Sequence, residues 1–247
     1  MWQSSGLQLQ PDGSLYTAPD ELKNDSGSSC ATVELVAHTV LWIVLRTMNY
    51  LVASQQHLTE LSARQVLWEE LNYQLDTWHT CLPATFQPCA KLRHPFRPRG
   101  LTAPNASSGP RIDELFFSIP LCAATMQLYH FARIILLLNK PPTEADVGSS
   151  RLHFYREVSA QALQHAYEIV GIALARPHPA VRVEMLMPLH VAGSCLEVDE
   201  ERKLVVDLLR AISKDTGCET EGRVRELMKE WGWKYDIGDQ FTGMRVG

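Results

Sequence analysis

Of the nine histidines in this chain of 247 residues, His130 has the setting best suited to chemistry, beside Tyr129 in the most apolar stretch of the sequence. A buried imidazole there could act as a general base or a ligand, but base work also needs a nucleophile and room for a substrate. The plainer expectation is a core histidine hydrogen-bonded to a neighbouring helix. His153, His165, His178 and His190 share no spacing with it, and H-E-x-x-H does not occur.

Carboxylate pairs could do acid–base work, and Glu69-Glu70 and Glu200-Glu201 are adjacent. Neighbours on a helix point about 100° apart and do not face each other, so both pairs read as solvated faces. The six cysteines, Cys30, Cys81, Cys89, Cys122, Cys195 and Cys218, are scattered, with no C-x-x-C and no zinc-finger spacing with histidine. Without a charged, then apolar, leader at Met1 they are expected to be reduced thiols of an intracellular protein. No G-x-S-x-G elbow, Walker A loop or G-x-G-x-x-G is present. The sequence therefore assigns no catalytic residue, no cofactor-binding residue and no metal ligand, and the chain is expected not to be an enzyme.

One basic cluster, Arg93-His94-Pro95-Phe96-Arg97-Pro98-Arg99, could serve nuclear import or touch phosphate, or could be a Pro-stiffened loop, the plainer reading. The net charge of −5 gives the whole chain no reason to sit on a phosphate backbone. A composition of 45% hydrophobic and 21% charged residues is that of a folded domain rather than a disordered chain.

The elements that must position these groups read as helices, giving an all-α fold with a single multi-helix domain. Residues 1–29 lack periodicity and read as a disordered tail, 30–235 as the helical domain, and 236–247 as a flexible tail. Helical pattern begins near Cys30 and runs through Ala53. Ser62-Ala63-Arg64-Gln65 fits a capping box, followed by an apolar face at Leu67, Leu71, Leu75 and Trp78. Prolines and glycines from Cys89 to Pro110 mark a long loop. A helix is expected from about Arg111 to Asn139, bent at Pro120, and others over about Leu152–Ala175 and Ala180–Val191.

Leu204, Val205, Leu208, Leu209 and Ile212 form a further stripe, with Asp199, Glu200 and Glu201 in its first turn and a stop at Thr216-Gly217. Val224, Leu227, Met228 and Trp231 form the last. No alternating run reads as a strand. Trp68, Trp78, Trp231 and Trp233 are expected in the core. Val33–Ala53 and Leu115–Leu138 are apolar enough to suggest membrane spans, but His130 and Arg133 in the second favour a buried core helix and no membrane.

The order of four segments resembles the C-terminal helical regulatory region of fungal zinc-cluster transcription factors. They are Leu67-Trp68-Glu69-Glu70-Leu71 through Trp78 to Phe86-Gln87-Pro88; Met126 to His130 with Ile134–Leu138 and Asn139-Lys140-Pro141; Ile169–Ala173 with Met187–Gly193; and Glu200 through Leu208-Leu209, Thr216-Gly217 and Leu227 to Trp231. Members usually carry an N-terminal six-cysteine cluster opening with C-x-x-C, which this sequence lacks, so zinc and direct DNA contact are not carried over.

The resemblance implies a nuclear regulator of transcription acting through protein contacts with a full-length factor or co-regulator, reaching DNA only indirectly. It also implies control of a metabolic gene cluster and a small-molecule effector. The competing expectation is a helical accessory or catalytic protein with a small-molecule pocket in a biosynthetic pathway.

Overall fold

A computed structural model describes residues 29–55, 60–93, 112–141 and 149–233. Helix α1 spans Ser29–Gln55, α2 Leu61–Thr80, α3 Pro120–Leu138 and α4 Ser149–Leu174. Helices α5 Pro179–Glu184, α6 Leu186–Cys195, α7 Asp199–Thr216 and α8 Glu221–Glu230 complete a helical domain. Strands β1 Ala90–Arg93 and β2 Asp113–Phe116 pair antiparallel, with Lys91 opposite Leu115.

The core forms around α3. Its sequence is apolar on every side, and a helix of that kind is stable in water only when surrounded. Here α1 and α4 cover its two main flanks, with α2, α5 and α6 completing the shell. Ala123, Ala124, Ala132 and Ile134 are buried, and the small alanines let neighbouring helices come close. Some polar atoms on α3 find partners, while Gln127 Oε1 and Arg133 Nε have none among the described residues. Gln127 Nε2 donates to the Ile169 carbonyl of α4 at 3.2 Å, and Arg133 reaches Asn72 and Asp76 of α2 at 2.9 Å each.

Aromatic side chains tie the outer helices to this centre. The Trp68 indole donates to the Leu136 carbonyl at 2.7 Å, Trp78 to Val36 at 3.0 Å, and the Tyr50 hydroxyl to Asn139 at 2.7 Å. Each buries a large apolar body while its one polar atom finds a carbonyl. Trp78 is in the core as expected, while Trp68 and Trp231 are half-buried against it.

Several expectations need correction. Helix α3 starts at Pro120 rather than Arg111, with the proline in the first turn where its missing N–H costs nothing. The residues before it form strand β2, half of a two-stranded sheet where no strand was expected, while the all-α fold class holds. Glu60, not Ser62, occupies the N-cap of α2 and no side chain caps it, so the capping box is not used. The helix expected over Ala180–Val191 divides at Met185 into α5 and α6. That break puts Pro188 in the first turn of α6, where no intrahelical N–H is required of it. Glu201 is buried rather than solvated.

The stop at Thr216-Gly217 holds: Gly217 has φ 75° and closes α7 in the left-handed region that glycine adopts without strain. Gly171 serves close approach, since a Cβ there would lie 2.3 Å from the Asp113 carbonyl oxygen of β2. Among the described residues two helices, Val33–Ser54 and Pro120–Leu138, are long and apolar enough to cross a membrane. The second is the core helix just described. The first packs one side on α3 and turns Leu41, Trp42, Leu45 and Val52 outward. The expected tails at 1–29 (but for Ser29, which opens α1) and 236–247, and most of the loop after β1, lie outside the described residues.

Candidate functional site

Where α2 ends, β1 passes and α3 and α4 diverge, the chain lines an open cleft of about 280 Å³. Each wall follows from an element boundary. Pro83 ends the run after α2 and turns the chain through a short 3-10 segment, Ala84–Phe86, which sinks the Phe86 ring. Strand β1 then carries Lys91 across the mouth. Helix α3 supplies Met126, Tyr129 and His130, and α4 supplies Gln164, His165, Glu168 and Ile172.

The aromatic rings form one contiguous group. Tyr129 stacks with His79 at 4.7 Å between centroids and with Trp78 at 5.5 Å. It meets His130 edge to face at 5.0 Å. His130 and His165 bring their Nδ1 atoms to 2.9 Å, a hydrogen bond between α3 and α4 in which one ring must donate and the other accept.

Electrostatics keep these rings uncharged. Burial holds His130 well below the usual imidazole range, helped by His165, His79, Arg133 and Lys91. Burial, then Arg133 and His79, draw His165 down to about 4. His79 is lowered as well, by burial and Arg133 against the opposing Asp76. Burial pushes the Tyr129 phenol up, so it too is neutral. Glu168 is raised by burial, with Lys91 acting in the other direction.

Such a set can hydrogen-bond a bound molecule but is poorly tuned for general base work near neutral pH, where the effective base has a pKa close to the ambient value. The buried thiols are not activated either, since burial lifts Cys122 and Cys195 to about 11. Among the described residues no group of three or more histidine, cysteine or acidic side chains could hold a metal ion.

His130 is thus a core histidine bonded to a neighbouring helix, and its partner is His165, which sequence spacing did not connect to it. The remaining histidines stand elsewhere. His178 accepts from the Ala180 amide at the start of α5, His190 lies 4.0 Å from Glu226, and His153 is exposed near Glu157. Glu69 and Glu70 are exposed on α2, with Glu70 paired to Arg46 at 2.8 Å. Of the basic cluster only Arg93 is described, in β1 opposite Asp113.

Over 245 residues the chain is 31% identical to Transcription activator AMTR1 of Alternaria alternata. The likeness is to a fungal transcription activator. It takes in 94% of this chain and 32% of the activator, so the chain spans about a third of the length of the curated relative it matches. No family profile matches the chain, and no solved structure does. The activator's name is not that of an enzyme.

Proposed function

We propose that this chain is a nuclear regulator of transcription that works through protein contacts, reaching DNA by way of a full-length transcription factor or co-regulator. The observation that carries the reading is the 31% identity to a transcription activator, extending over nearly all of this chain. A match of that extent follows the whole helical scaffold rather than one motif. The ordered segments from Leu67 to Trp231 support the same reading, as does a net charge of −5 that gives no general attraction to phosphate.

The outer face of α1 suits partner contact. Leu41, Trp42, Leu45 and Val52 lie along one side of α1 and are 40–52% exposed, apolar surface that a monomer in water gains nothing by displaying. Control of a metabolic gene cluster is the accompanying proposal for its targets.

The test is to fuse the full chain to an unrelated DNA-binding domain and measure a reporter carrying that domain's site. A change in reporter output that is lost in Leu41→Asp/Leu45→Asp, while the fused protein stays folded and abundant, supports regulation through the α1 face. Output equal to that of the DNA-binding domain alone contradicts it.

A further inference from the structure

We propose that the cleft bounded by α2, α3, α4 and β1 is a binding site for a small, uncharged, planar amide, a ring that carries an N–H beside a C=O as an aromatic carboxamide or a lactam does. This goes beyond the regulatory reading and does not depend on it. Three features of the cleft narrow the ligand to that class.

Size and shape come first. A space of about 280 Å³ stands just below the range of drug-sized sites, roughly 300–1,000 Å³, and suits a molecule of one or two rings. Phe86, Met126, Tyr129 and Ile172 line it with flat and apolar surface. A planar ligand can stack on Tyr129 or meet it edge to face, as His79 and His130 already do.

The second feature is the histidine pair, which decides the polar group. His130 and His165 meet Nδ1 to Nδ1 at 2.9 Å, and two neutral rings do so only as opposite tautomers. The ring that donates through Nδ1 keeps a bare Nε2, and the ring that accepts carries its hydrogen on Nε2. Each Nε2 is one ring carbon from the shared contact, and neither has a hydrogen-bond partner among the described residues. Both rings line the cleft, and His130 is only 8% exposed. A donor and an acceptor left unmet at such depth are costly, and one ligand group that completes both relieves both. An amide does so: its C=O accepts from the Nε2–H and its N–H donates to the bare Nε2. A carboxylate has no hydrogen for the bare nitrogen and sets its lone pairs against it, while an ammonium has nothing with which to accept.

Charge is the third. Lys91 of β1 and Glu168 of α4 line the same space with opposite signs, so the cleft selects neither an anion nor a cation. Whatever an anion gains from Lys91 it loses to Glu168, and a cation the reverse. An uncharged ligand meets no such opposition. The bare Nε2 disfavours a carboxylate whichever form Glu168 takes.

Benzamide, acetophenone, benzoate and benzylamine share one ring and separate these features. Acetophenone keeps the shape and carbonyl of benzamide without its N–H, and the other two carry a charge of either sign. Each would be titrated into the full chain carrying labelled histidine, following imidazole resonances by NMR. Benzamide is expected to shift the His130 and His165 signals saturably. It should bind about tenfold more tightly than any of the other three, the worth of one hydrogen bond. His165→Phe keeps a ring in place but removes the pairing that fixes the tautomers, and with its fold verified by circular dichroism it should lose the preference for benzamide over acetophenone. Should that variant not fold, the wild-type series decides alone. The proposal is overturned if benzamide leaves both signals in place, if any of the other three binds as tightly, or if a folded His165→Phe keeps the full preference. A silent reporter fusion would sink the regulatory reading and leave this binding result untouched.

Discussion

The Nδ1 atoms of His130 and His165, 35 positions apart in the chain, lie 2.9 Å from each other and join α3 to α4 through one shared hydrogen. Both rings are held neutral by burial and by the positive groups around them, with His165 at about 4. The folded chain therefore resists protonation that the unfolded chain accepts.

That difference fixes a pH dependence. Unfolded histidines take up protons as pH falls through about 6.5, while the folded His165 does so only near 4. Between those values the unfolded state binds more protons, so stability declines as pH falls across the window and is greatest above it. His165→Gln removes one of the rings responsible. Its melting temperature should decline less steeply than the wild-type value on acidification from about pH 7 to 4.5, and parallel curves would count against the buried neutral pair.

Glu201 bears the opposite sign. It is buried in the first turn of α7, and burial pushes its carboxyl up, with the Tyr167 hydroxyl offsetting part of the effect. Neither carboxylate oxygen completes a well-formed hydrogen bond among the described residues. A carboxyl whose folded pKa is raised binds its proton more tightly when folded, so stability falls as pH rises through the unfolded value, and the deficit persists at neutral pH. Glu201→Gln should melt higher than wild type at neutral pH, with the gain shrinking toward pH 4; a loss at neutral pH that fades toward pH 4 would show instead that the charge stabilises α7.

Gly171 lets β2 lie on α4. Alanine there would bring Cβ to 2.3 Å from the Asp113 carbonyl oxygen and 3.1 Å from Leu115 Cγ, and the strand must move away. Overpacking of this kind costs about 1–3 kcal/mol, read as a lower urea midpoint. Gly222→Ala is the control, since its nearest neighbour is a Glu219 carboxylate oxygen at 3.5 Å, an ordinary contact. Its alanine, in the first turn of α8, should be neutral or mildly stabilising.

Leu209 tests the register of α7. It is fully buried, whereas Leu208 beside it is half-buried. Leu209→Ala should cost about 2–5 kcal/mol in urea denaturation and Leu208→Ala distinctly less. Equal losses would mean that the helix is rotated from the position described.

Much of this architecture is legible in the sequence because its signals are local. Pro177 and Gly217 stop helices and Pro179 opens α5 through backbone geometry that any reader of the chain can apply, and the acidic first turn of α7 marks its start. The sheet escaped because β1 and β2 are four residues each, too short to alternate visibly, and pair across a long connection. The site escaped for a related reason. His130 announced itself by its apolar surroundings, but His79, His165 and Lys91 come from three other elements, and only the packing of α2, α4 and β1 around α3 brings them together. Glu201 read as solvated because adjacent acidic residues usually are; its burial follows from how α7 docks, which no local pattern encodes.

The most direct test of the regulatory reading is crosslinked chromatin recovery of the tagged full chain in its native host, with co-purified proteins identified from the same sample. Enrichment at discrete promoters together with a DNA-binding factor, both lost in Leu41→Asp/Leu45→Asp, is the predicted result. A folded, abundant protein with no chromatin signal above an untagged control would contradict it.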